Sequence, residues 1–223
     1  NVFSQIPLFE DIGARVNFIS VIVSALSVMF TYLISVQIIE EWRGKAEILS
    51  NQIINYGSSF IGAMTFAVTD SHWFNAVEAE VYAMSTLTTA IVTWLILHWL
   101  EHSEDSGNER YILMISYILG LATGIHLLNL LALPFMGMII YFRKTNFSWS
   151  SFTAMSGITG VIFITVYLGI IKGFPQIAAK IGLTGLALVV FILFCSTIYS
   201  VIKEKRLVSL VLFSAILVIV GYS

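Results

Sequence analysis

The sequence predicts an all-α fold, a polytopic bundle of membrane-crossing helices, and three observations carry that reading. Hydrophobic residues make up 58% of the chain and charged residues 11%, against roughly half and a quarter in soluble domains. The mean hydropathy is +0.91. The apolar residues also fall in runs near the ~20 residues that cross about 30 Å of hydrocarbon at 1.5 Å each. Lipid is therefore the solvent expected for most of the chain. No soluble-domain pattern, solenoid-length repeat or low-complexity tract interrupts it, so residues 1–223 read as a single transmembrane domain.

The runs, in order, are 16–39, 48–69, 83–100, a long stretch 111–142, then 151–171, 180–201 and 207–222. The long stretch would make a helix of about 48 Å if continuous. It contains Gly120, Gly124, His126 and Pro134, which can break it into a hairpin of two short spans. The positive-inside rule separates the two readings, because a hairpin flips every later loop. With the hairpin, Arg43, Lys45, Arg110, Arg143, Lys144, Lys203, Lys205 and Arg206 share one side, and Arg15, Lys172 and Lys180 the other. With a single helix the bias vanishes, five against six. The hairpin is preferred, giving eight spans with 70–82 and the turn at 125–127 on the outer side.

Composition excludes several functions. A net charge of −2 offers no basic field for nucleic acid. The one cysteine, Cys195, lies in an apolar run and reads as packing. There is no Gly-Lys-Ser/Thr phosphate loop, no Gly-x-Ser-x-Gly elbow and no His-Glu-x-x-His helix. None of the four histidines is expected to ligate a metal, and no cofactor is expected. Both termini read as the interior of a longer protein.

The polar residues that remain concentrate at two outer elements. Segment 70–82 reads as an amphipathic interfacial helix. At 100° per residue, Asn75, Glu78 and Tyr82 fall on one stripe and Trp73, Ala76 and Glu80 on another, so the two glutamates face different surroundings. Read blandly, Trp73 and Tyr82 are belt anchors and the glutamates solvated charges. His126, between Gly124 and Asn129 amid apolar neighbours, is either a hydrogen-bonded turn histidine or a group that holds a phosphate or shuttles a proton. Gly120 and Gly124 form a small-xxx-small pair that admits a close neighbouring helix. His72, His98 and His102 flank the interfaces and read as structural.

The order of these pieces carries a resemblance. Trp73-Phe74-Asn75-Ala76-Val77-Glu78-Ala79-Glu80-Val81-Tyr82-Ala83, followed about 40 residues on by Gly120-Leu121-Ala122-Thr123-Gly124-Ile125-His126-Leu127 and then Pro134, resembles the GT-C membrane glycosyltransferases of the protein O-mannosyltransferase type. More narrowly, it is similar to the bacterial domain-of-unknown-function family that includes the animal O-mannosyltransferase of plexin-type domains. Phe3-Ser4 and Pro7, with Ala14-Arg15-Val16-Asn17, also fit, and the similarity covers roughly residues 1–145.

The resemblance implies transfer of a sugar, mannose, from a polyprenyl-phosphate donor to a Ser/Thr of an acceptor protein or peptide. The reaction would lie on the periplasmic face of a bacterial inner membrane, or the lumenal face of the endoplasmic reticulum. It implies Glu80 and Tyr82 at the rim of the sugar or acceptor pocket and His126 near the donor phosphate, with Trp73, Asn75, Glu78 and Asn129 as further substrate-binding candidates. The family's acidic motif lies upstream of the Phe-Ser…Pro segment, so the resemblance assigns no catalytic base within the chain. Two other classes fit the residues without the resemblance: a transporter or channel lined by Glu80 and His126, and a membrane scaffold.

Overall fold

The computed structural model describes residues 9–78 and 81–222, and among these it is helical throughout, with no strand. The helices are α1 (Ile12–Arg43), α2 (Leu49–Ala67), α3 (Asp70–Val77), α4 (Val81–Glu101), α5 (Glu109–Ile125), α6 (Ala132–Lys144), α7 (Trp149–Thr165), α8 (Phe174–Ile202) and α9 (Arg206–Tyr222). A 3₁₀ turn, Leu127–Leu131, joins α5 to α6, and a π-helical stretch, Val166–Gly173, joins α7 to α8. The chain divides into two compact units, residues 1–98 and 99–223.

In the first unit, α1 is longer than its apolar run because both ends are capped. The Asp11 carboxylate accepts from the Gly13 N–H at 2.8 Å, and Gly44, at φ 90°, donates its N–H to the Glu40 carbonyl. Small polar residues are buried on both α1 and α2, which pack together. Ser20, Ser24 and Ser27 are buried on α1, and Asn55, Ser59 and Ala63 on α2, each set at helical spacing. Ser27, Thr31 and Ser35 return their hydroxyls to backbone carbonyls one turn back at 2.8 Å. Close approach of backbones at small residues is how helices associate where the hydrophobic effect is weak. Val23 packs with Ala83 and Leu87, and Phe30 meets Trp94 edge-on at 5.6 Å, bringing α4 onto α1.

In the second unit the tightest pair is α5 with α9. A Cβ built at Gly120 would stand 2.5 Å from the Val218 carbonyl oxygen, and one at Gly221 would stand 2.6 Å from that of Tyr117. The small-xxx-small pair thus does what its spacing predicts at Gly120. Gly124 has more room, with Tyr222 O at 3.5 Å. α6 packs on α7, where Gly137 faces Thr159, and Leu119, Leu130, Leu133 and Ile171 form a buried cluster around the 3₁₀ turn.

Two expectations are corrected. Against the eight expected spans, three helices among the described residues are long and apolar enough to cross a membrane: Ile12–Arg43, Val81–Glu101 and Trp149–Gly182. The apolar helices Leu127–Arg143, Ala187–Ile202 and Arg206–Tyr222 are shorter. α2, with 19 residues, falls out because Asn51, Gln52, Asn55, Ser58 and Ser59 dilute it. The loop expected between 171 and 180 is also absent. Helix continues through Lys172 and Pro175, and the bend comes instead at Gly182, with φ 68° and ψ −179°, a conformation open to glycine. The π stretch just before Pro175 accounts for this. Widening the helix there relieves the clash between the proline ring and the carbonyl four residues back. The break expected at Gly124–His126 is present.

Candidate functional site

The outer segment of the first unit is shorter than its pattern. α3 ends at Val77 because Glu78 turns to extended backbone (φ −103°, ψ 138°) while its N–H still closes on the Phe74 carbonyl. The stripe joining Asn75, Glu78 and Tyr82 therefore does not exist as one helical face. Glu78 is exposed beyond the helix, and Tyr82 belongs to the first turn of α4, 48% exposed. Trp73 stands out at 62% exposed and Asn75 is half-buried. Glu80 and the Phe3-Ser4…Pro7 element lie outside the described residues.

The inward residue of α3 is His72. It is 7% exposed, its ring lies 4.3 Å from that of Phe66, and it is hydrogen-bonded to the Ser24 backbone of α1. Burial lowers its pKa below the ordinary imidazole range, opposed by the Ser24 hydrogen bond. The sequence places His72 beside the outer interface as a structural residue, without showing which way its side chain faces. Its one helical partner at i+4, the small Ala76, is the signal that its side packs.

A lowered folded pKa means that the unfolded chain binds more protons between that value and about 6.5. Stability contributed by neutral His72 is thus complete above the ordinary histidine range and declines as pH falls below it. Thermal unfolding followed from about pH 8 to 5 should show a steeper acid loss for the wild type than for His72→Phe. Parallel curves would contradict this.

In the second unit His126 ends α5 and starts the 3₁₀ turn. Its backbone is extended (φ −149°, ψ 124°), its N–H donates to the Ala122 carbonyl at 2.9 Å, and its Nδ1 accepts the Leu128 N–H at 3.3 Å. Since a backbone N–H can only donate, Nδ1 is the acceptor and the ring proton sits on Nε2. Asn129, 5% exposed, donates its amide to the Ala122 carbonyl at 2.6 Å, a second hydrogen bond to the oxygen that already accepts the His126 N–H. The structure therefore joins His126 and Asn129 in one turn with distinct tasks. Asn129 holds the helix end, and His126 caps the turn.

Beside this turn lies a groove of 180 Å³ lined by Leu127, Leu128, Leu130, Leu131, Phe163 and Tyr167. A second groove of 310 Å³ shares Leu131 and Phe163 and runs on past Pro134 and Met138 to Phe152. Both walls are almost wholly apolar. A cation sits nearby: Lys172 Nζ lies 4.8 Å over the Tyr167 ring. Sequence reading used Lys172 only as an outer-side charge. Its link to the groove depends on the π-helical stretch Val166–Gly173, whose geometry the apolar run 151–171 does not reveal.

Chemically, the turn places an imidazole and, one groove wall away, a positive charge next to apolar surface. That set suits an amphiphile with an anionic head. Residues 1–149 match the family model of the protein O-mannosyl-transferase TMEM260 N-terminal domain. No curated protein and no solved structure matches the chain.

Proposed function

Because the chain belongs to the protein O-mannosyl-transferase TMEM260 N-terminal family, we propose that it forms part of a GT-C membrane glycosyltransferase, one that moves mannose from a polyprenyl-phosphate donor to a protein Ser/Thr on the periplasmic or lumenal side. Family membership supports a mannosyltransferase-type function. The observation that carries the donor class is the apolar groove opening beside the His126 turn. A polyprenyl tail needs apolar surface open to lipid, and its phosphate needs donors where that surface ends.

The reaction is a displacement at the anomeric carbon. The acceptor hydroxyl oxygen bonds to that carbon, the bond from it to the phosphate oxygen breaks, and a carboxylate takes the hydroxyl proton. Charge builds on the departing phosphate. His126 stands near it there, with Lys172 supplying longer-range positive charge, and such preorganised groups act most strongly where charge develops. Glu80 and Tyr82 form the rim for sugar or acceptor, and Trp73, Asn75 and Glu78 extend it. Neither Glu78 nor Glu80 is given the role of base. No nucleotide or metal takes part in these steps.

The test is transfer of labelled mannose from polyprenyl-phosphate mannose to a Ser/Thr peptide by the protein purified from its complete reading frame. The expected result is a peptide-linked mannose that forms from the lipid donor and not from a nucleotide sugar alone. Absence of transfer from a folded preparation would overturn the reading.

A further inference from the structure

The end of α4 holds a constellation independent of this reading. His98, Glu101 and His102 lie within five consecutive residues, and one ligand atom from each falls within 4.8 Å of the others. Spacings of three and four bring side chains onto one helix face. Sequence analysis gave no histidine a metal spacing, and the i, i+4 pair of His98 and His102 is what it overlooked. A cation bound at about 2.1 Å by each donor wants them roughly 3.4 Å apart in a tetrahedral set. Small rotamer changes of two half-buried imidazoles and one exposed carboxylate close that gap.

A second observation comes from α1. Gln37 Nε2 lies 3.4 Å from His98 Nδ1, while Gln37 Oε1 is buried with no hydrogen-bond partner. A metal-bound imidazole that ligates through Nε2 carries its proton on Nδ1 and needs an acceptor there. Rotating the Gln37 amide by half a turn supplies it, since amide O and N occupy nearly equivalent positions. The ring is already oriented: it stacks on Trp94 at 5.2 Å with 13° between planes. The buried acceptor and the stacked ring together make a support that a solvated histidine would not need.

We propose that His98, Glu101 and His102 bind a divalent transition cation of the Zn²⁺ class, with Gln37 as the positioning residue behind His98. Two imidazoles and one carboxylate suit Zn²⁺ and disfavour Mg²⁺ or Ca²⁺, which take oxygen donors. Three protein ligands leave one position for water. The neighbouring carboxylates Glu104 and Asp105, both exposed, add negative potential to the same loop.

The experiment uses Zn²⁺ itself, titrated into the metal-free full chain in detergent against a chromophoric chelator. All variants carry Cys195→Ser, so that the exposed thiol contributes nothing. One equivalent of Zn²⁺ is expected. His102→Gln and Glu101→Gln, both at the open end of the helix, should weaken it by at least about 100-fold and tenfold respectively. Gln37→Leu, which touches no metal, should weaken it by about 10- to 100-fold. Mg²⁺ should not compete. Failure of the parent to take up Zn²⁺, or equal affinity in His102→Gln, Glu101→Gln and the parent with circular dichroism unchanged, would overturn the proposal. Because the readout is metal uptake, it stands or falls apart from mannose transfer.

Discussion

His126→Asn should retain the fold and lower mannose transfer by roughly 100-fold, the scale expected when one preorganised group is removed from developing charge. Asparagine is chosen because it separates the two tasks of this residue. At the start of a helical turn an Asn side-chain oxygen accepts the N–H two residues on, as His126 Nδ1 does from Leu128. What asparagine cannot reproduce is the imidazole beside the phosphate. His126→Ala should lose transfer as well, with an added stability cost of about 1 kcal/mol for the missing cap. The comparison is a rate measurement on both variants with thermal unfolding beside it. Full activity in His126→Asn would remove the histidine from the donor site and leave it a cap.

Gly120→Leu should unfold or rearrange the second unit, costing about 3 kcal/mol or more, since the added side chain meets backbone rather than a flexible side chain. The Val218 carbonyl oxygen stands 2.5 Å from where even a Cβ would be, and Val218 Cα 3.0 Å. α9 would have to retreat, and with it the contact at Gly221, whose Cβ position is 2.6 Å from the Tyr117 carbonyl. Gly124→Ala provides the contrast. Its nearest neighbour is at 3.5 Å, an ordinary contact, so a change within about 0.5 kcal/mol is expected. Thermal or denaturant unfolding in detergent reads both. Similar midpoints for Gly120→Leu and wild type would mean that α5 and α9 do not pack at this distance.

Much of the helical framework is legible because its signal is local. The runs in α1 and α4 are apolar enough to read directly, and Gly124-Ile125-His126 marks the end of α5 on its own. The close packing at Gly120 is legible too, although the partner, α9, is not. The gap between 171 and 180 misled for a physical reason: the apolar run pauses there, and the π stretch through which the helix continues has no sequence mark of its own. The stripe through Asn75, Glu78 and Tyr82 failed because it assumed one helix where α3 stops after eight residues. His72 reads as structural from the sequence, but its burial does not, because that depends on the facing Ser24 and Phe66, neither adjacent in sequence. The same holds for Lys172, which meets Tyr167 through helical geometry that the pattern did not contain.

The central claim is that a polyprenyl-linked phosphate sits at the His126 turn. A polyprenyl-phosphate mannose carrying a diazirine on its first isoprene unit, irradiated with the full-length protein and mapped by mass spectrometry, tests it most directly. Labels should fall on Leu127, Leu128 or Leu131 and on Phe163 or Tyr167, and excess unlabelled polyprenyl phosphate should remove them. Labels spread along the lipid-facing helices, indifferent to that competitor, would contradict the account.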